Sequence, residues 1–142
     1  MRLSRELKLA ILLLLAPCAQ AQTPGRELVG TSWQLASLRT ADGRTLAPDD
    51  KAKYTFTFLT GGILSARVDC NRGSGTWKSS GPGLMQISPF AITHAMCPPG
   101  SLFDEVVKQV GGVRTYAVKD GRLRLTGDGA SFELEAIAPP QR

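Results

Sequence analysis

The chain has 142 residues, 42% of them hydrophobic and 20% charged, with a formal net charge of +5. That length suits a single domain with one core. The basic residues are scattered from Arg26 to Arg142 with no cluster interleaved with aromatics, which argues against the basic face a nucleic-acid binder needs.

Arg2, Arg5 and Lys8 precede an unbroken apolar run from Leu9 to Ala16, and Ala19-Gln20-Ala21 follows. A basic start, an apolar stretch and small residues around a polar one predict a signal peptide over residues 1–21, cleaved after Ala21. The run is too short for a transmembrane helix, which needs roughly 20 apolar residues. Leu15-Ala16-Pro17-Cys18 offers an alternative, a lipoprotein box with Cys18 lipidated as the first residue. Pro17 fits poorly where such boxes place Gly or Ala, so ordinary cleavage is the preferred reading and an outer-membrane lipoprotein the lesser one. In both cases Cys18 is unavailable for pairing. Removing residues 1–21 leaves 121 residues with 14 basic and 11 acidic side chains, a net of +3. Export places the protein in the periplasm or outside the cell, where thiols oxidise. Cys70 and Cys97, 27 positions apart, therefore predict a disulfide.

Residues 22–27 read as a flexible polar leader, 28–137 as the folded domain, and 138–142, with Pro139-Pro140, as a disordered tail. Trp33 to Leu38 is the first predicted strand. Asp42-Gly43 marks a turn, and Pro48-Asp49-Asp50 a loop. Tyr54-Thr55-Phe56-Thr57-Phe58 alternates aromatic with threonine, which predicts Tyr54, Phe56 and Phe58 facing a core. Gly61-Gly62 turns the chain into Ile63–Val68, with Leu64, Ala66 and Val68 on one face, so residues 53–68 predict a hairpin. Gly73-Ser74-Gly75 reads as a bend before a short strand at Trp77, Ser79 to Gly83 as a turn, Leu84 to Ile87 as a strand, and Pro89 to Cys97 as extended or irregular.

Ser101 predicts a helix cap. Leu102, Phe103, Val106, Val107 and Val110 form one apolar stripe after it, Asp104 and Glu105 sit in the first turns, and Gly111-Gly112 ends the helix. Tyr116–Val118 and Leu123–Leu125 predict a second hairpin around Asp120-Gly121. A last strand, Phe132–Ile137, should turn Phe132, Leu134 and Ala136 inward. The fold class is mostly β (α+β): a small antiparallel β-roll or meander of about 7–8 strands covered by one α-helix.

Few groupings point to chemistry. His94 is the only histidine, and with Met96 and the two cysteines it could form a soft metal site. That site, like a Cys–His nucleophile pair, requires reduced thiols, which the compartment opposes. Asp69 and Glu105 could act as paired carboxylates, but surface and capping roles account for them. Gly73-Ser74-Gly75 lacks the Lys-Ser/Thr of a phosphate loop. Trp33 and Trp77 read as core. No enzyme, cofactor or metal is expected.

With strands and cysteines placed, the pattern resembles the META domain, also called the HslJ-like family. The resemblance rests on Gly30-Thr31-Ser32-Trp33-Gln34-Leu35, on the 54–58 alternation, on Cys70-Asn71 with Gly75 and Trp77, and on Thr93 to Pro99 with Met96-Cys97. It covers residues 28–137. Asp69 departs from the pattern, which often has Gly before the first cysteine, and this bears on the local backbone shape. The resemblance implies a small β-roll with one helix, and bacterial envelope or secreted proteins linked to heat response, antibiotic tolerance, motility and virulence. It carries no shared enzymatic activity. The expected function is envelope stress tolerance through contacts with an unidentified protein partner, by a monomer. The alternative is a secreted inhibitor or small-ligand binder presenting a loop such as Gly73–Gly75 or Ser79–Gly83.

Overall fold

A computed structural model of the chain describes residues 16–18, 20 and 22–138. The basic start and most of the apolar run of the signal (residues 1–15), the cleavage residues Ala19 and Ala21, and residues 139–142 of the tail lie outside the described residues. Among the described residues no helix is long and apolar enough to cross a membrane.

Ten antiparallel strands build one nearly closed, barrel-like sheet: β1 (Ser32–Arg39), β2 (Thr45–Leu46), β3 (Tyr54–Leu59), β4 (Ile63–Val68), β5 (Asn71–Lys78), β6 (Gln86–Ile87), β7 (Ala91–Ile92), β8 (Thr115–Lys119), β9 (Arg122–Gly127) and β10 (Ala130–Ala136). The order along the sheet is β6-β5-β4-β3-β1-β10-β9-β8, with β2 on β1 and β7 on β5. Closure comes from a seam between residues 83–85, which lie outside the strands, and the start of β8. Leu84 bridges Thr115, the Met85 N–H donates to the Arg114 carbonyl at 2.9 Å, and the Tyr116 N–H donates to the Gly83 carbonyl at 2.9 Å. Three of the ten strands hold only two residues, and these raise the count above the expected 7–8.

The alternation in β3 and β4 does what its pattern predicts. Tyr54, Phe56, Phe58, Leu64, Ala66 and Val68 are buried, and Tyr54↔Val68 and Phe58↔Leu64 lie directly opposite. In β1 a bulge between Leu35 and Ser37 inserts one extra residue against β10. The extra residue shifts the period-2 pattern, so Leu38 is buried with Trp33 and Leu35. Both tryptophans are buried, and Phe58 meets Trp77 edge-on with ring centroids 5.1 Å apart. The side chains of Phe103, Val106 and Val110 on the helix α1 (Phe103–Val110) join this same core.

Four local expectations are corrected. Gly73-Ser74-Gly75 is no bend; it lies inside β5, which runs unbroken from Asn71 to Lys78. A Cβ on Gly73 would stand 2.2 Å from the Ala91 carbonyl oxygen, and one on Gly75 3.2 Å from that of Ser88. Glycine here lets the 88–92 segment approach β5 at backbone distance, a packing role that composition does not separate from a turn. Ala136 is exposed, and Ala130 takes the inward place at the other end of β10. Of Leu84–Ile87 only Gln86 and Ile87 are strand, with Leu84 exposed at the seam. Finally, Leu102 is the cap residue of α1; the Ser101 hydroxyl still accepts the Phe103 N–H at 3.2 Å, one residue earlier than a cap would.

The segment 22–27 is tied to the barrel wall. Gly25 is buried, at a position where a Cβ would stand 2.9 Å from the Trp77 ring, and the Tyr116 hydroxyl donates to the Glu27 carboxylate.

Candidate functional site

Of the sequence-predicted residues, Cys70, Cys97, His94 and Met96 come together at one end of the β4–β5 hairpin. Val68 pairs with Asn71, so Asp69 and Cys70 form the turn between the strands. Asp69 has φ of 56°, the left-handed region that glycine occupies freely and Asp tolerates better than most residues. The departure from glycine therefore falls on a position that does demand unusual backbone. Two bonds hold the turn: the Asp69 N–H donates to the Lys53 carbonyl at 2.8 Å, and Arg67 Nε donates to the Asp69 carbonyl at 3.1 Å.

Cys70 and Cys97 are joined by a disulfide, with Cα atoms 5.5 Å apart. It fastens the 93–97 loop to the hairpin. Cys70 is exposed and Cys97 half-buried.

Sequence reasoning noted Asn71 only as a neighbour of the cysteine and missed its role. Its side chain is fully buried. Asn71 Oδ1 accepts from the Thr93 hydroxyl at 2.8 Å and the Ala95 N–H at 2.7 Å, while Nδ2 donates to the Ala95 carbonyl at 2.9 Å. A buried amide needs partners for both ends, and here the loop supplies them. The carboxamide thus acts as a fragment of strand against which residues 93–95 are held. The only sequence signal was its place beside a cysteine.

The loop so fixed presents two side chains. The His94 ring lies edge-on to Phe103 at a centroid distance of 5.6 Å, which anchors it to the start of α1. Met96 projects outward with 99% of its surface exposed. Between them, Cys97, Ser101, Phe103 and Asp104 line a small cleft of about 290 Å³. The cysteines that could join His94 and Met96 on a metal are consumed in the disulfide. Among the described residues no group of three or more His, Cys, Asp or Glu is placed to hold a metal ion. Cys18 is exposed with a free thiol.

Charge elsewhere serves the fold. Arg44 bridges Asp42 at 2.9 Å and Glu105 at 2.8 Å, tying α1 to the β1–β2 connection. The hydrogen bond from Arg44 holds the Glu105 carboxyl below its usual range. Thr40 and then Arg44 do the same for Asp42, and Lys51 for Glu135. Burial, and then the Glu27 carboxylate, push the Tyr116 hydroxyl up. None of these four groups lines the cleft beside Met96. A larger groove of about 600 Å³ lies along the seam between Gly61-Gly62, Lys78, Gln86 and Arg114, and the two hydroxyl side chains that line it, Thr76 and Ser88, hydrogen-bond to each other at 3.0 Å.

Three solved structures share the fold. One from Burkholderia xenovorans is 19% identical, covers 87% of this chain and 98% of its own, and superposes with a TM-score of 0.66. A DUF4847 family protein from Bacteroides vulgatus is 16% identical, with coverage of 76% and 93% and a TM-score of 0.55. A third, solved by NMR, is 18% identical, with coverage of 77% and 91% and a TM-score of 0.56. A comparison with curated proteins finds no match. The META domain model matches residues 26–138, nearly all of the chain after the predicted leader, and with the barrel and α1 in place the chain belongs to the META domain family.

Proposed function

We propose that this META domain protein is exported to the bacterial envelope, periplasmic or secreted, and acts there without catalysis, supporting tolerance of heat or antibiotic stress, or motility and virulence, through protein contacts. The observation that carries the reading is Met96. An apolar side chain with 99% of its surface in water gains on the order of 1.5–3 kcal/mol when a partner buries it. The disulfide and Asn71 already order the loop, so docking loses little conformational freedom. For the non-catalytic part, the lowered carboxylates Asp42, Glu105 and Glu135 are each held by an ion pair, and none of them lines the cleft beside Met96. As for the inhibitor alternative, Gly73–Gly75 is ruled out as a protruding loop because it lies within β5.

The test compares a deletion strain carrying either the wild-type gene or Met96→Asp for survival of heat and antibiotic challenge. The variant should keep its melting temperature, since Met96 packs against nothing, and lose protection. Full protection by Met96→Asp would refute the docking role.

A further inference from the structure

The two sulfurs of the disulfide do not have the same surroundings. Cys97 Sγ accepts two N–H groups, the Cys70 backbone N–H at 3.3 Å and Asn71 Nδ2 at 3.4 Å. Cys70 Sγ has only the longer approach of Asn71 Nδ2 at 3.7 Å. The Ala95 carbonyl oxygen stands 3.7 Å from one sulfur and 3.9 Å from the other, so it does not distinguish them. Donors converging on Cys97 favour negative charge there, and Asn71 is buried and fixed by its bonds to Thr93 and Ala95. Exposure of the whole residues runs the opposite way: Cys70 is exposed and Cys97 half-buried.

We propose that the Cys70–Cys97 bond is a polarised thiol–disulfide exchange site in the folded protein, with Cys70 the sulfur attacked and Cys97 the leaving group. Its reaction partner is a thiol or dithiol donor. The donor thiolate attacks Cys70 Sγ, the S–S bond breaks, and its electron pair leaves on Cys97 as a thiolate held by the two N–H donors. The product is a mixed disulfide between the donor and Cys70. A second donor thiolate then attacks the donor's own sulfur and expels the Cys70 thiolate, which takes a proton from water. Two electrons pass to the cysteine pair and the donor becomes its disulfide. A leaving thiol of low pKa departs faster, and the accessible sulfur is the one struck. Loop closure by the bond governs the equilibrium; the asymmetry of the two sulfurs governs the direction and rate of exchange.

The probe is reduced glutathione, applied to the full chain carrying Cys18→Ser so that no third thiol interferes. Short exposures are quenched by acid and alkylation, and peptide mapping locates the adduct. Glutathione should sit on Cys70, with Cys97 alkylated, in at least about tenfold excess over the reverse. Adducts on Cys97, adducts on both equally, or no adduct until the protein is unfolded would each overturn the proposal. A second measurement follows alkylation rate against pH in the Cys18→Ser chain with Cys70→Ser or Cys97→Ser added. Cys97 should titrate at least one unit below the ordinary thiol value of about 8.5, a roughly tenfold larger thiolate fraction at neutral pH, and Cys70 should not. A Cys97 midpoint at or above the ordinary value would sink the idea. If a single-thiol variant is misfolded by circular dichroism, the glutathione mapping, which uses the intact bond, decides alone.

Discussion

Removing the disulfide by Cys70→Ala with Cys97→Ala releases the unfolded chain from a loop closed over 27 positions. The chain-entropy relation for a loop of that size gives ~3.6 kcal/mol at 25 °C. Few native contacts are lost with it, because Asn71 still holds residues 93–95 through three hydrogen bonds. The loss should therefore appear mainly through the unfolded state. Urea unfolding followed by tryptophan fluorescence suits the test, since both tryptophans are buried. The midpoint should fall and the slope rise modestly, as an unlinked chain exposes more surface. In thermal unfolding the same loss lowers the melting temperature by roughly 10–20 °C. A loss under about 1 kcal/mol with an unchanged slope would refute the reasoning. It would mean that Asn71 restrains the loop so well that the covalent bond is redundant.

Gly73→Ala places a methyl where the Ala91 carbonyl stands, so it should cost about 2–3 kcal/mol of stability in urea titration despite alanine's better intrinsic propensity. Asn71→Ala strips the partners from Thr93 and Ala95 and should cost about 1–3 kcal/mol, with faster amide exchange at Ala95 as the local readout. Tyr116 has its hydroxyl pushed up by burial and by Glu27, so its contribution is full below the ordinary tyrosine value of about 10 and lost as pH rises through the raised folded value. Glu27→Gln should move one phase of the ultraviolet tyrosinate titration to lower pH. Glu105 runs the opposite way: its carboxyl is lowered by Arg44, so its contribution is present above the ordinary glutamate value of about 4.3 and lost as pH falls through the lowered one. Arg44→Ala should flatten the acid limb of stability against pH there, by a small amount for an exposed pair.

The sequence by itself determined those features in which a local pattern has one physical reading. A strict aromatic–threonine alternation can bury its rings only as a strand, so β3 and its hairpin with β4 were legible. Asp120-Gly121 between apolar runs marked the β8–β9 hairpin, where Lys119 pairs with Arg122, and the 102–110 stripe marked α1. The pairing of Cys70 with Cys97 followed from there being two usable thiols in a chain whose start reads as an export signal. Tertiary structure alone decided the rest, because those features depend on what lies across from a residue. Glycine at 73 reads as a bend until the 88–92 segment is seen against it. The bulge in β1 brings Leu38 inward through its register with β10. The seam joining Gly83–Met85 to Arg114–Tyr116 links residues some thirty positions apart through backbone groups, which carry no sequence signal. Asn71 is the sharpest case. Its residue type says only that it can donate and accept; that both functions close on one loop, and that its N–H reaches Cys97, is a matter of position in space.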